Sequence, residues 1–168
     1  IDNFILSRLE SSNIIPAKKA EPAQLIRRVY YDLIGLPPSP DKVEAFLKDH
    51  SSEAFERIVN DLLDSPQYGE RWGRHWLDVA RYGDSNGGDE NHAFPHAWRY
   101  RNYVIDAFNR DLSYDKFVTE QLAGDLLESE SAERSRRVTA TGFLAIGTKI
   151  LAEKDSVKKR ADIIDEQI

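Results

Sequence analysis

Tyr68-Gly69-Glu70-Arg71-Trp72-Gly73-Arg74-His75-Trp76-Leu77-Asp78-Val79-Ala80-Arg81-Tyr82 is the stretch that decides how this chain is built. Ser65-Pro66 precedes it, a cap residue followed by a first-turn proline, so the spacing predicts one helix over about 66 to 82. Surface helices seldom carry so much aromatic mass, and core helices seldom carry so much charge. The segment therefore reads as a polar network set into a packed interior, or as a site. Arg71, His75, Asp78 and Tyr82 recur at helical spacing and share one face, with Trp72, Trp76 and Val79 on the neighbouring stripe as core anchors. A histidine three residues before an aspartate can hydrogen-bond it, which fixes the imidazole tautomer. That arrangement suits a general base, and equally a buried network that fixes how the helix docks. In either case the ionisable edge is expected to face the interior or a crevice.

Gly69 and Gly73 sit four apart in the same helix, where each glycine costs roughly 1 kcal/mol relative to alanine. Close approach of a second helix backbone is the usual compensation. Outside this segment nearly every stretch reads as helix. Asp2 can cap a helix carrying Phe4, Ile5, Leu6 and Leu9, with Asn13 as a left-handed stop. Pro22 opens a second with Leu25, Ile26, Val29 and Leu33 as its apolar set, and Gly35 ends it. Leu36-Pro37-Pro38 must be an extended connector, and Ser39-Pro40 starts a short helix through Leu47. Ser51 or Ser52 starts the next, with Phe55, Ile58, Val59, Leu62 and Leu63 inward.

Beyond the decisive segment, a loop from Gly83 to Phe94 is longer than most connections in compact domains. Pro95 then opens a helix through about Asn109, with Trp98, Val104, Ile105 and Phe108 on it. Ser113 caps a helix closed by Gly124, and two further helices follow, about 134 to 146 and 156 to 168. No alternating strand pattern or internal repeat competes. The expected fold is all-α: an irregular bundle of about seven to nine short helices with one long Asp/Gly/His loop, forming a single domain over 1–168.

Composition narrows the function classes. The chain has 168 residues, 40% hydrophobic and 31% charged, with net charge −6. That balance fits a globular domain and argues against a nucleic-acid partner. No apolar run approaches the roughly 20 residues of a membrane span. There is no cysteine, which removes disulfides, thiolate metal sites and covalent haem attachment within this sequence. The first residue is Ile1, and the apolar stripe Val157, Ala161, Ile164, Ile168 has no stop signal after it, so the chain is expected to be a piece of a larger polypeptide.

Three constellations can carry chemistry. The first is acid–base: His75 as the base, Asp78 as its orienter, Arg71 and Arg81 as anion anchors, with Tyr82 beside them. The second is a metal. The loop after Tyr82 fails the EF-hand pattern, because Asp89 stands at its obligatory glycine and Pro95 at its last ligand. Asp84, Asp89, His92 and His96 remain a possible nitrogen-and-carboxylate set, and acidic glycine-rich loops are more often plain solvated turns. The third is a binding surface. Trp98, Arg99, Tyr100, Arg101 and Tyr103 bring aromatics and arginines together, as a partner- or sugar-binding face or as inward packing with Arg99 paired to an acid of the 66–82 helix. Asp125, just past its helix, is placed to reach an arginine such as Arg81.

The blocks Leu25-Ile26-Arg27-Arg28, Asp32-Leu33-Ile34-Gly35-Leu36-Pro37-Pro38, Tyr68-Gly69-Glu70-Arg71-Trp72, His75-Trp76-Leu77-Asp78 and Ala80-Arg81-Tyr82 carry a family resemblance. Tyr100-Arg101, Glu120-Gln121-Leu122-Ala123-Gly124-Asp125 and Ala140-Thr141-Gly142-Phe143 extend it. Together they resemble the planctomycete-type cytochrome-associated domain family of unknown function, in order and over essentially the whole chain. Gly73 departs from the alanine of that pattern, and 85–94 is the most divergent part. The resemblance implies a region of a large exported, periplasmic-type bacterial protein, following a c-type haem domain and preceding a second domain. Its partners would be those domains and, in some settings, polysaccharide. The haem would lie outside this chain, and the family's own activity is unassigned. The expected role is a docking or structural module beside the haem domain; the alternatives are part of a carbohydrate-active site, oxidative or not, using His75 and Asp78, or a carbohydrate-binding module.

Overall fold

Proline and glycine place several of the helix boundaries. The computed structural model describes residues 1–87, 91–128, 130–150 and 152–165. Its elements are α1 (Asp2–Ser11), α2 (Pro22–Ile34), α3 (Pro40–Lys48), α4 (Ala54–Leu63) and α5 (Pro66–Val79), then α6 (Ala97–Asn109), α7 (Tyr114–Ala123), α8 (Ser131–Ala140), the single turn α9 (Gly142–Ala145) and α10 (Ser156–Asp165). Among the described residues there is no strand, only one isolated bridge between Ser85 and Ala93. The all-α expectation holds. Pro22, Pro40 and Pro66 stand in the first turns of their helices, and Gly35 ends α2 in the left-handed conformation at φ 72°. Asn13 takes the same left-handed role after α1, at φ 53°.

Several boundaries differ from the sequence reading. The helix expected over 66 to 82 stops at Val79, because Arg81 turns left-handed at φ 55° and Tyr82 returns its N–H to the carbonyl of Leu77. Tyr82 therefore does not continue the face of Arg71, His75 and Asp78. α4 begins only at Ala54, with Glu53 rather than a serine at its cap. The helix expected over 134 to 146 starts earlier, at Ser131, and breaks at Thr141 before α9.

α5 and α6 form the most extensive helix pair, and the remaining elements divide around them. α2 packs on α3, α4 and α5, burying Ile26, Ala54 and Leu62. On the other side α7, α8 and α9 close over α6. The main core lies there: Leu77, Ala80, Tyr100, Tyr103, Val104, Ala107, Phe117 and Ala140, with Trp76, Phe108 and Phe143 packed against it. Trp76 meets Phe117 edge-on at 4.8 Å between ring centroids, a favoured aromatic geometry. By contrast, neither α1 nor α10 contributes a buried residue.

The inward face of α5 is Gly69, Gly73, Leu77 and Ala80, with half-buried Trp76 beside them. A Cβ on Gly69 would overlap the carbonyl oxygen of Ile105 and lie 2.6 Å from Asn109 Oδ1. Gly73 is less constrained, its nearest neighbour being Ile105 Cγ1 at 3.4 Å. Asn109 fastens the close approach: its amide donates to Pro66 O at 3.1 Å and its Oδ1 accepts the Gly69 N–H at 2.7 Å. One α6 side chain thus bonds the first turn of α5 and answers the Gly69 N–H where a helix start leaves donors unpaired.

Candidate functional site

His75 lies on the outside. At about 100° per residue it falls about 200° around α5 from Gly73, opposite the buried stripe. His75, Asp78 and Arg74 are exposed, Val79 is 74% exposed and Trp72 37%. The expected inward orientation of this ionisable edge is therefore corrected. So is the pairing: no hydrogen bond joins His75 to Asp78, and the imidazole instead faces the Trp72 ring at 5.4 Å. Glycines, not tryptophans, mark the side of α5 that another helix can approach. Trp76 alone of the proposed anchors packs into the core.

The other acid–base candidates separate as well. Arg71 is half-buried, its stem against Gly35, and its Nε is buried without a hydrogen-bond partner. Arg81 is exposed beyond the end of α5. Tyr82 is half-buried and donates to Asp84 Oδ1 at 2.6 Å. Burial and that bond to a carboxylate push its hydroxyl pKa up to about 12.

In the loop, Asp89 lies outside the described residues. Among the described residues, no group of three or more His, Asp or Glu side chains converges as metal ligands. Asp84 accepts from Tyr82, His92 is engaged through its backbone, and His96 stands at the N-cap of α6. The loop is organised by Asn86, which is fully buried. Its Oδ1 accepts the His92 N–H at 2.7 Å and its Nδ2 donates to Lys149 O at 3.0 Å. Backbone bonds to His92 O and from Lys149 N complete the clamp. Asn86 thus ties the long loop to the segment after α9, a role that a solvated-turn reading of the loop misses.

The expected aromatic surface is divided between inside and outside. Tyr100 and Tyr103 are 2% and 3% exposed, while Trp98 is 46% exposed. The three rings form no common platform, and Trp98 does not pack inward. Arg99 is exposed and lies over the Trp98 ring at 5.6 Å, without a carboxylate partner among the described residues. Arg101 is half-buried and Asp125 exposed.

The polar network in the interior is built from other residues. Trp76 Nε1 donates to Tyr100 Oη and to Gln121 Oε1, both at 3.0 Å, and Tyr100 donates to the same Gln121 oxygen. Tyr103 donates to Glu120 Oε2 at 2.9 Å, and Arg137 Nε donates to Glu120 Oε1 at 3.2 Å. Glu120 and Gln121 are 4% and 1% exposed. Four helices, α5 to α8, meet in these bonds, and each buried polar group is answered as burial requires. The signal lay in α7, where Phe117, Glu120, Gln121 and Gly124 recur at helical spacing on one face. Gly124 belongs to it sterically, since a Cβ there would overlap the carbonyl of Arg137.

Burial raises the Tyr100 hydroxyl pKa to about 12, and burial with the Glu120 carboxylate raises that of Tyr103 further. A folded pKa above the unfolded value adds stability that is complete below about pH 10 and is lost as pH rises through the folded value. Stability should therefore decline between about pH 10 and 12, by roughly 2–3 kcal/mol from Tyr100 alone. Tyrosinate absorbance and circular dichroism should show these buried hydroxyls ionising together with unfolding; their free titration in the folded protein would contradict the network.

No curated protein and no solved structure matches the chain. A family model described as PSCyt2, protein of unknown function (DUF1549), matches residues 1–168. The chain therefore belongs to the PSCyt2 family, a planctomycete cytochrome-associated domain of unknown function.

Proposed function

We propose that this domain is a docking module within a larger exported polypeptide, held beside a c-type haem domain. The observation that carries the reading is α1. Its Phe4 is 84% exposed, Ile5 53% and Leu6 43%, Ile1 before it is 95% exposed, and no residue of the helix is buried. Isolated helices shorter than about 12–15 residues are marginal in water, and α1 has 10. Covering such side chains is worth about 1.5–3 kcal/mol each, so a partner surface stabilises both the helix and the assembly. Exposed Trp72 and Val79 give α5 apolar surface of the same kind. The acid–base reading through His75 and Asp78 gains no supporting contact, and the carbohydrate-binding reading loses its aromatic platform.

The test is association in trans. The purified chain is titrated against the remainder of its polypeptide, including the haem domain, by calorimetry. Binding is expected, and the double variant Phe4→Glu/Ile5→Glu should weaken it at least about tenfold, since each lost apolar contact is worth about 1.5 kcal/mol or more. The melting temperature of the isolated variant should be unchanged, because neither side chain is buried in the chain itself. Absence of binding, or equal binding by the variant, overturns the proposal.

A further inference from the structure

An open cleft of about 440 Å³ lies between the start of α6 and the α8–α9 corner. Its walls are largely apolar, including Phe94, Ala97, Tyr100, Val138 and Ile146. Its volume and composition fall in the range of small-molecule sites, which combine apolar walls with a few polar groups that fix orientation. The fixed charge among the described lining residues is positive, on Arg99, and His96 adds a ring N–H donor. His96 and Arg99 line the cleft, and no aspartate or glutamate does among the described residues. Neither has a carboxylate partner among those residues, and the Arg99 guanidinium lies over the exposed Trp98 ring.

The two threonines in the lining add only acceptors. Thr139 Oγ1 donates to Ser135 O and Thr141 Oγ1 to Val138 O, each at 2.8 Å, so their hydroxyl hydrogens are already committed. Recognition of a charged ligand group therefore falls to the guanidinium and the imidazole. We infer that the cleft binds a small organic anion, with a flat apolar body between α6 and α9 and a carboxylate or equivalent group at Arg99 and His96. An arginine fork suits a planar carboxylate, and an apolar surround strengthens the pairing. This is independent of the docking reading, since no residue of α1 lines the cleft.

Naphthoate and its neutral counterpart naphthamide are suitable probes, each titrated calorimetrically into the purified chain. Saturable one-to-one binding of naphthoate is expected, with naphthamide weaker by about tenfold, the value of one charge-assisted hydrogen bond. Arg99→Gln, at an exposed position, should weaken naphthoate by a similar factor and leave naphthamide unchanged. Ala145→Trp, which fills the cleft from its exposed rim, should abolish binding of both at an unchanged melting temperature. No saturable binding of naphthoate, equal affinity for the amide, or undiminished binding by Arg99→Gln would overturn the inference. The Arg99→Gln comparison decides it even if Ala145→Trp fails to fold.

Discussion

Alanine at position 69 is expected to destabilise the domain by about 3 kcal/mol, although alanine is the better helix former. The methyl group would enter the space of the Ile105 carbonyl and the Asn109 side chain. Both are fixed: the first is helix backbone, and the second bonds Pro66 O and Gly69 N. Relief requires α5 and α6 to separate, which loosens the packing of Leu77 and Val104 behind them. The same change at Gly73 meets Ile105 and Val104 atoms only at ordinary contact distance and should alter stability by less than about 1 kcal/mol. Chemical denaturation of the two single variants measures the contrast. Equal effects would mean that the helices do not approach where the structure brings them together.

Removal of Arg137 is the second large perturbation. Glu120 is 4% exposed, and its carboxylate is held by Arg137 and by the Tyr103 hydroxyl. Without the guanidinium a buried charge keeps one neutral donor, and losing one partner of a buried pair typically costs about 3–5 kcal/mol. The lower end of that range applies, because the Arg137 side chain is itself 24% exposed and the pair is partly screened. Arg137→Ala should therefore cost about 3 kcal/mol. Adding Glu120→Gln should restore part of the loss, since the uncompensated charge is then gone. A double variant no more stable than Arg137→Ala would show that Arg137 acts through packing alone.

The helices were legible because their ends are written locally. Pro22, Pro40 and Pro66 at helix starts, and Gly35 at a helix end, act through their own backbones and need no tertiary context. The stop after Val79 was not, because the residue that turns left-handed there is Arg81, and nothing in an arginine announces that conformation. Sidedness failed on α5 for a related reason. Aromatic and charged residues ring the whole helix, so bulk suggested one face, while the interior was fixed by two glycines and the demand for a close helix partner. The His75–Asp78 spacing was correct for a bond but lay on the face away from the core.

The polar interior itself was expected, but in the wrong residues. In sequence Glu120 and Gln121 stand near the end of a helix closed by Gly124, and only the position of Arg137, Tyr103 and Trp76 on three other helices makes them central. Helical spacing puts Phe117, Glu120, Gln121 and Gly124 on one face, but which distant side chains answer them has no local signature. Asn86 is similar: a loop asparagine in sequence, and a clamp between distant segments in the fold.

The same physics separates what this domain holds internally from what it presents outward. The bonds of Trp76, Tyr100 and Gln121 and those of Tyr103, Glu120 and Arg137 close within α5 to α8, whereas α1 keeps Phe4, Ile5 and Leu6 in solvent. Hydrogen exchange along α1, compared between the isolated chain and the larger polypeptide proposed to carry it, tests this most directly. Slow exchange of residues 2–11 only in that larger polypeptide is the expected result. Equally fast exchange in both would contradict the docking role.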